Sequence, residues 1–80
     1  MQKRLIKTDL GANNNKFWHA KLNGSSVELN WGRVGAHGQF LTKTFTSEDV
    51  AVRYIERTAN TKQREGYVPQ QTMSGIQPNV

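Results

Sequence analysis

The dipeptide Asn23-Gly24 stands between two runs of alternating apolar and polar residues, and no other feature restricts the fold as tightly. Both residues accept the positive φ of tight β-turns, so the flanking runs are expected to pair as an antiparallel hairpin. Before the turn, Trp18, Ala20 and Leu22 fall on one face, with Phe17, His19 and Lys21 on the other. After it, Val27, Leu29 and Trp31 share a face, with Ser26, Glu28 and Asn30 opposite. One face of this hairpin is apolar and the other wet. Trp18, in mid-strand, has the stronger claim to the core. Trp31 shares the apolar face by periodicity, but it ends its strand beside Gly32, where a turn or bulge can re-aim it.

The rest of the chain supplies a cover for the apolar face. Thr46-Ser47-Glu48-Asp49 is a helix start, in which a hydroxyl caps free N–H groups and the acids complement the helix dipole. The helix is predicted from about Ser47 to Arg64. Val50, Ala51, Tyr54, Ile55, Thr58 and Lys62 follow its inward spacing, and Arg53, Glu56, Arg57 and Asn60 lie opposite. Asp49 and Arg53 are spaced as an i,i+4 ion pair. Lys62 and Arg64 suit the C-terminal end, Gly66 is a natural stop, and Tyr67-Val68 is expected to pack back on the domain.

Arg4 to Lys7 reads as an edge strand whose lysines discourage edge-to-edge pairing. Asp9 to Asn15 reads as a loop, and its Asn13-Asn14-Asn15 run suits either a solvated turn or a ligand contact. Gln39 to Phe45 is a further strand. Leu41 and Phe45 share one face with Lys43 between them, and Phe40, Thr42 and Thr44 share the other. Neither face is cleanly apolar, so its orientation stays open. The expected fold is α+β, an antiparallel β-sheet of about four strands with one long α-helix packed on it. The folded domain is expected over 1–68 and a flexible C-terminal tail over 69–80.

A chain of 80 residues has room for one small domain with a modest core. Its stability is bounded at about 5 kcal/mol. With no cysteine, disulfides, iron–sulfur clusters and thiolate zinc sites are excluded. The two histidines, His19 and His37, have no metal-binding spacing. Gly32, Gly35 and Gly38 do not form a phosphate loop, because the Gly-Lys-Ser/Thr ending is missing and the segment joins two strands. No nucleophile or acid–base couple stands out, so neither enzymatic activity nor a cofactor is expected. The basic start Met1-Gln2-Lys3-Arg4 leads into no long apolar run, and no segment approaches the roughly 20 apolar residues of a membrane span. A monomeric cytoplasmic protein without membrane contact is the expectation.

The net charge of +5 is unevenly distributed. The first 46 residues carry seven cations against two acids, whereas the remainder is balanced at four against four. The excess lies in the part expected to be sheet, as in a polyanion footprint. Within it, residues 31–38 read Trp31-Gly32-Arg33-Val34-Gly35-Ala36-His37-Gly38. An aromatic plane and a guanidinium stand two residues apart at a turn that three glycines make flexible. That pairing suits sugar or base stacking by Trp31 and phosphate contact by Arg33.

These residues, in order, resemble the WGR domain of DNA-dependent poly(ADP-ribose) polymerases and of many small bacterial proteins. Asn15-Lys16-Phe17-Trp18 resembles the family's entry to its second strand, and Leu22-Asn23-Gly24 its hairpin. Val27 to Gly35 resembles the strand leading into Trp-Gly-Arg-Val-Gly. Gly38-Gln39 and Thr42-Lys43-Thr44-Phe45 resemble the next strand, and the helix with its Gly66-Tyr67 exit the C-terminal end. The resemblance covers roughly 3–68. It implies a nucleic-acid-binding module that recognises DNA ends, breaks or single-stranded segments, with RNA as a second ligand. In the polymerases, the family's Trp and Arg lie where damaged DNA and neighbouring domains meet, which carries that role onto Trp31, Gly32 and Arg33 and favours partial exposure of Trp31. Lys16, Lys43 and Arg4 are the expected supporting phosphate contacts. The competing expectation is a protein–protein interaction module, since the family's Arg also serves domain contacts.

Overall fold

The computed structural model describes residues 1–8 and 15–70. At its centre, β2 (Lys16–Asn23) and β3 (Ser26–Arg33) pair antiparallel, with Leu22 opposite Val27, Ala20 opposite Leu29 and Trp18 opposite Trp31. The turn lies one residue beyond Asn23-Gly24. Asn23 pairs with Ser26, so the loop is Gly24-Ser25, with Gly24 at a φ of 65°. Sliding the turn by one residue moves every cross-strand partner by two and leaves both faces unchanged. Alternation therefore could not separate the two registers, and the local geometry of the turn chose.

Three more strands complete the sheet. β1 (Gln2–Lys7) pairs with β2, β4 (Gln39–Thr44) pairs with β3, and β5 (Val68–Pro69) pairs with Leu5 and Ile6 of β1. The order is β4-β3-β2-β1-β5, five antiparallel strands where the sequence indicates about four. β1 is consequently not an edge strand. The chain leaves the helix at Gly66, the Tyr67 amide donates to the Lys62 carbonyl at 3.0 Å, and the Gln70 amide donates to Arg4 at 2.8 Å. Those bonds lay the two-residue strand along β1. Residues 9–14 of the expected loop Asp9–Asn15 and residues 71–80 of the expected tail 69–80 lie outside the described residues. Pro69 and Gln70, the first two residues of that tail, are paired with β1.

The helix α1 (Glu48–Arg64) starts where expected, with the Ser47 side chain accepting from the Val50 amide at 3.3 Å. It buries Ala51, Ile55 and Ala59 against Leu5, Trp18, Ala20, Val27 and Leu29. Two of the three helix residues are alanines, which lets the backbone approach the sheet closely. The largest fully buried side chains are Leu5, Ile55 and Val27, each worth about 1.5–3 kcal/mol of burial. Arg53, Glu56, Arg57 and Asn60 are exposed, as the helical period requires. Asp49 and Arg53 form no ion pair. The one found among the described residues joins Lys62 Nζ to Glu65 Oε1 at 3.9 Å.

The helix packs on β1, β2 and β3, and all six residues of β4 remain exposed. β4 thus overhangs the core. The pairing of Leu41 with Leu29 settles its orientation: Gln39, Leu41 and Lys43 face the helix side, and Phe40, Thr42 and Thr44 face outward. Phe17 is the exception to the wet-face expectation. It points away from the helix, yet it is only 9 % exposed. Among the described residues, no helix is long and apolar enough to cross a membrane.

Candidate functional site

The burial of Phe17 is explained by the turn after β3. The Val34 amide donates to the Asn15 carbonyl at 2.9 Å, and the Ala36 amide closes a turn on Arg33 at 3.1 Å. The chain then returns across the outer face of the sheet. Asn30 Nδ2 donates to the carbonyls of His37 at 3.1 Å and Gln39 at 2.9 Å, which ties the returning strand down. At Gly32, φ is 154° and a Cβ would stand 2.8 Å from the Gly38 Cα. At Gly38, φ is 79° and a Cβ would collide with the Trp31 carbonyl and the Phe17 ring. Two of the three glycines expected to loosen this turn therefore pack it onto Phe17. Gly35, with open space around it, serves only the bend.

Pinning the turn fixes the strand end that carries Trp31 and Arg33. Both lie on the helix side, since Trp31 follows Val27 and Leu29 by the strand period. Trp31 packs against the core and is only partly buried. The two expectations for it are therefore compatible. It sits on the core face, but at the sheet's end, where β4 overhangs and the helix is finishing.

Pairing brings three cations into one line there. Lys7 lies opposite Lys16, and Lys16 lies opposite Arg33, across three neighbouring strands. Like charges directly opposite one another disfavour the sheet by roughly 0.2–1 kcal/mol each. No ion pair with a carboxylate relieves this row among the described residues. Beside it, a depression of about 310 Å³ is lined by Lys16, Phe17, Trp31, Arg33, Lys62 and Tyr67. Lys62 and Lys7 lie over the Tyr67 ring, with ammonium-to-centroid distances of 5.3 and 6.0 Å. Burial, aided by the Glu65 carboxylate, raises the Tyr67 hydroxyl above its ordinary 10.0, so it stays protonated and able to donate.

Of the residues expected at the site, Lys16, Trp31, Gly32 and Arg33 meet in this depression. Lys43 lies in an adjoining groove that also contains Trp31 and Lys62. Arg4 stands apart. It is opposite His19 on the outer face, which neither depression reaches. Lys7, Lys62 and Tyr67 are additions. Lys7 was within reach of sequence reasoning, because strands that flank one loop must bring their loop-side ends together. Lys62 lies on the inward stripe of the helix, where a lysine is unusual, but counting charge by segment hid it in a neutral half.

His19, on the outer face, is half-buried and its ring centroid lies 4.9 Å from that of Phe17. Its Nε2 is buried without a hydrogen-bond partner among the described residues. Burial lowers its pKa below the ordinary 6.5 and the Arg4 charge adds to that, while the Gln70 side chain offsets part of it. The described residues contain no cluster of three metal-ligating side chains.

Comparison with known proteins agrees with this geometry. The family model described as the WGR domain matches residues 1–74. The chain is 36% identical over 67 residues to the uncharacterized protein YfeS of Escherichia coli K12, covering 84% of this chain and 27% of YfeS. It is 30% identical over 64 residues to the protein YehF of the same strain, covering 80% of this chain and 23% of YehF. A crystal structure of a Bacteroides fragilis protein superposes with a TM-score of 0.80 at 26% identity, covering 100% of this chain and 22% of that one. The chain thus spans about a quarter of the length of these relatives.

Proposed function

Because this chain belongs to the WGR-domain family, we propose that it is a nucleic-acid-binding module that takes DNA ends, breaks or single-stranded segments at the Trp31-Gly32-Arg33 corner. The family's domain binds nucleic acid in the poly(ADP-ribose) polymerases. The observation that carries the reading here is the row Lys7, Lys16, Arg33, which no ion pair relieves among the described residues, beside a partly exposed Trp31. A row of like charges costs stability, and a phosphate backbone removes that cost on binding. Trp31 offers a plane for a sugar or base, and Arg33 a forked donor for phosphate oxygens. Lys16 and Lys7 add point charges, and Lys43 extends the basic surface along the adjoining groove. On this reading the module works as a cytoplasmic monomer, with no catalysis or cofactor of its own, and accepts RNA as a second ligand.

The test is titration with a DNA hairpin, a DNA single strand and an RNA single strand at low salt, followed by NMR. Shifts centred on the Trp31 indole and the Arg33 side chain are expected. With about three phosphates neutralised, log K should fall against log[salt] with a slope of about −2 to −3. Absence of any shift at millimolar ligand rejects the reading.

A protein-interaction role is favoured by one observation. Phe40 is 71 % exposed and Leu41 45 % exposed on the free edge strand β4. The two roles diverge at Arg33. For nucleic acid, Arg33→Lys keeps much of the affinity, whereas Arg33→Ala loses about 1 kcal/mol or more and one contact's worth of salt slope. For a protein partner, neither change alters nucleic-acid binding.

A further inference from the structure

The overhang of β4 creates a second concavity on the helix side of the sheet. This groove of about 280 Å³ is lined by Trp31, Leu41, Lys43, Tyr54, Thr58 and Lys62 among others. It adjoins the depression at Arg33, because Trp31 and Lys62 line both. Each is near the lower limit for a small-ligand site, roughly 300 Å³. Leu41 is 45 % exposed, and the rest of β4 is exposed to varying degree. Tyr54 is braced by Phe45, ring centroids 5.1 Å apart, and Lys43 Nζ lies 5.1 Å from the Tyr54 centroid. No carboxylate lines the groove.

An apolar and aromatic wall between two ammonium groups complements a flat neutral ring joined to an anion. That is the chemistry of an unpaired nucleotide. We infer that the groove holds the base of a second nucleotide, next in the same single strand to the one at Trp31 and Arg33, with its phosphate between Lys43 and Lys62. The inference rests on the nucleic-acid reading above and adds a footprint of two nucleotides and a preference for unpaired ones. A base inside a duplex has both faces stacked and cannot enter the groove. Lys43 is exposed, so it can leave the Tyr54 ring to the base and turn to the phosphate without any backbone movement.

The probes are thymidine 5′-monophosphate (pT), the dinucleotide pTpT and a pTp-abasic analogue of the same charge, titrated into the full chain at low salt and followed by NMR. We expect pT to shift Trp31 and Arg33. We expect pTpT to bind about tenfold tighter, at the low end of what stacking one base contributes, and to move the Leu41 methyls and the Tyr54 ring. The abasic analogue, which keeps the phosphate but has no base to stack, should lose most of the gain in affinity and leave the Leu41 methyls unshifted. Leu41→Ala, at an exposed position, should bring the pTpT-to-pT affinity ratio towards one, with a melt confirming that the domain is folded. If pTpT binds no tighter than pT, or if the abasic analogue matches it, or if Leu41 and Tyr54 stay unshifted, the second subsite is refuted while the Trp31–Arg33 reading stands. If none of the three probes binds, the second subsite is refuted, and the hairpin and single-strand titrations decide the Trp31–Arg33 reading separately.

Discussion

Two tryptophans face each other across β2 and β3, and their surroundings assign them different tasks. Trp18 is buried in the core, so Trp18→Ala should cost about 3–5 kcal/mol, enough to unfold a domain this small. Trp31 is only partly buried, and we expect Trp31→Ala to cost about 1–2 kcal/mol of stability, with a larger proportional loss of nucleic-acid affinity. Thermal melts of both variants decide this, and equal destabilisation would make Trp31 a core residue first. The glycines of the turn invite a similar contrast. Gly38→Ala places a methyl against the Trp31 carbonyl and Phe17, and should cost about 2–4 kcal/mol. Gly35→Ala meets only the strain of its φ of 96°, about 1–2 kcal/mol. Chemical denaturation of the pair gives the difference, and equal costs would remove the packing role assigned to Gly38. The letters Trp-Gly-Arg were visible from the start, but the task of the final glycine was not. Spacing shows that a glycine is present; only the returning backbone shows what it touches.

At the level of the strand, stability and binding should pull against each other. Lys16 stands between Lys7 and Arg33, like-charged on both sides. Lys16→Gln keeps a polar side chain, one atom shorter, and removes the repulsion. The variant should therefore gain about 0.2–1 kcal/mol in stability at low salt, while its nucleic-acid affinity falls and its salt slope shrinks by about one contact. Denaturation at two salt concentrations, paired with titration, checks both halves. A variant that loses stability would mean the row is relieved by a contact of another kind. The strands themselves were legible, since alternation in β2 and β3 marks their faces. The cation row was not, because it depends on which residue stands opposite which. That register followed from the turn at Gly24-Ser25, which sets β3 against β2, and from the pairing of β1 with β2.

Across the whole molecule, stability should depend on pH through His19. Its folded pKa lies below the ordinary 6.5, so the unfolded chain takes up a proton that the folded chain resists. The His19 contribution is complete above pH 6.5 and is lost as pH falls through the lower folded value. Melts at pH 7.5 and pH 5 should show a lower Tm at the acidic end, and His19→Gln should remove part of that difference. A His19→Gln variant with the same acid sensitivity would place the cause elsewhere. The sequence alone determined the α+β class, the hairpin, the limits of the helix and the excess of positive charge in the sheet. The charge is plain composition, and the others arise from interactions between near neighbours along the chain: period, capping and turn propensity. The tertiary structure decided the rest. It laid β5 on β1, folded the turn over Phe17, left β4 uncovered and gathered Lys7, Lys16, Arg33, Lys62 and Trp31 at one end. Those outcomes join residues far apart in the chain, and their partners are chosen by which surfaces can be buried together, a quantity that no local pattern encodes.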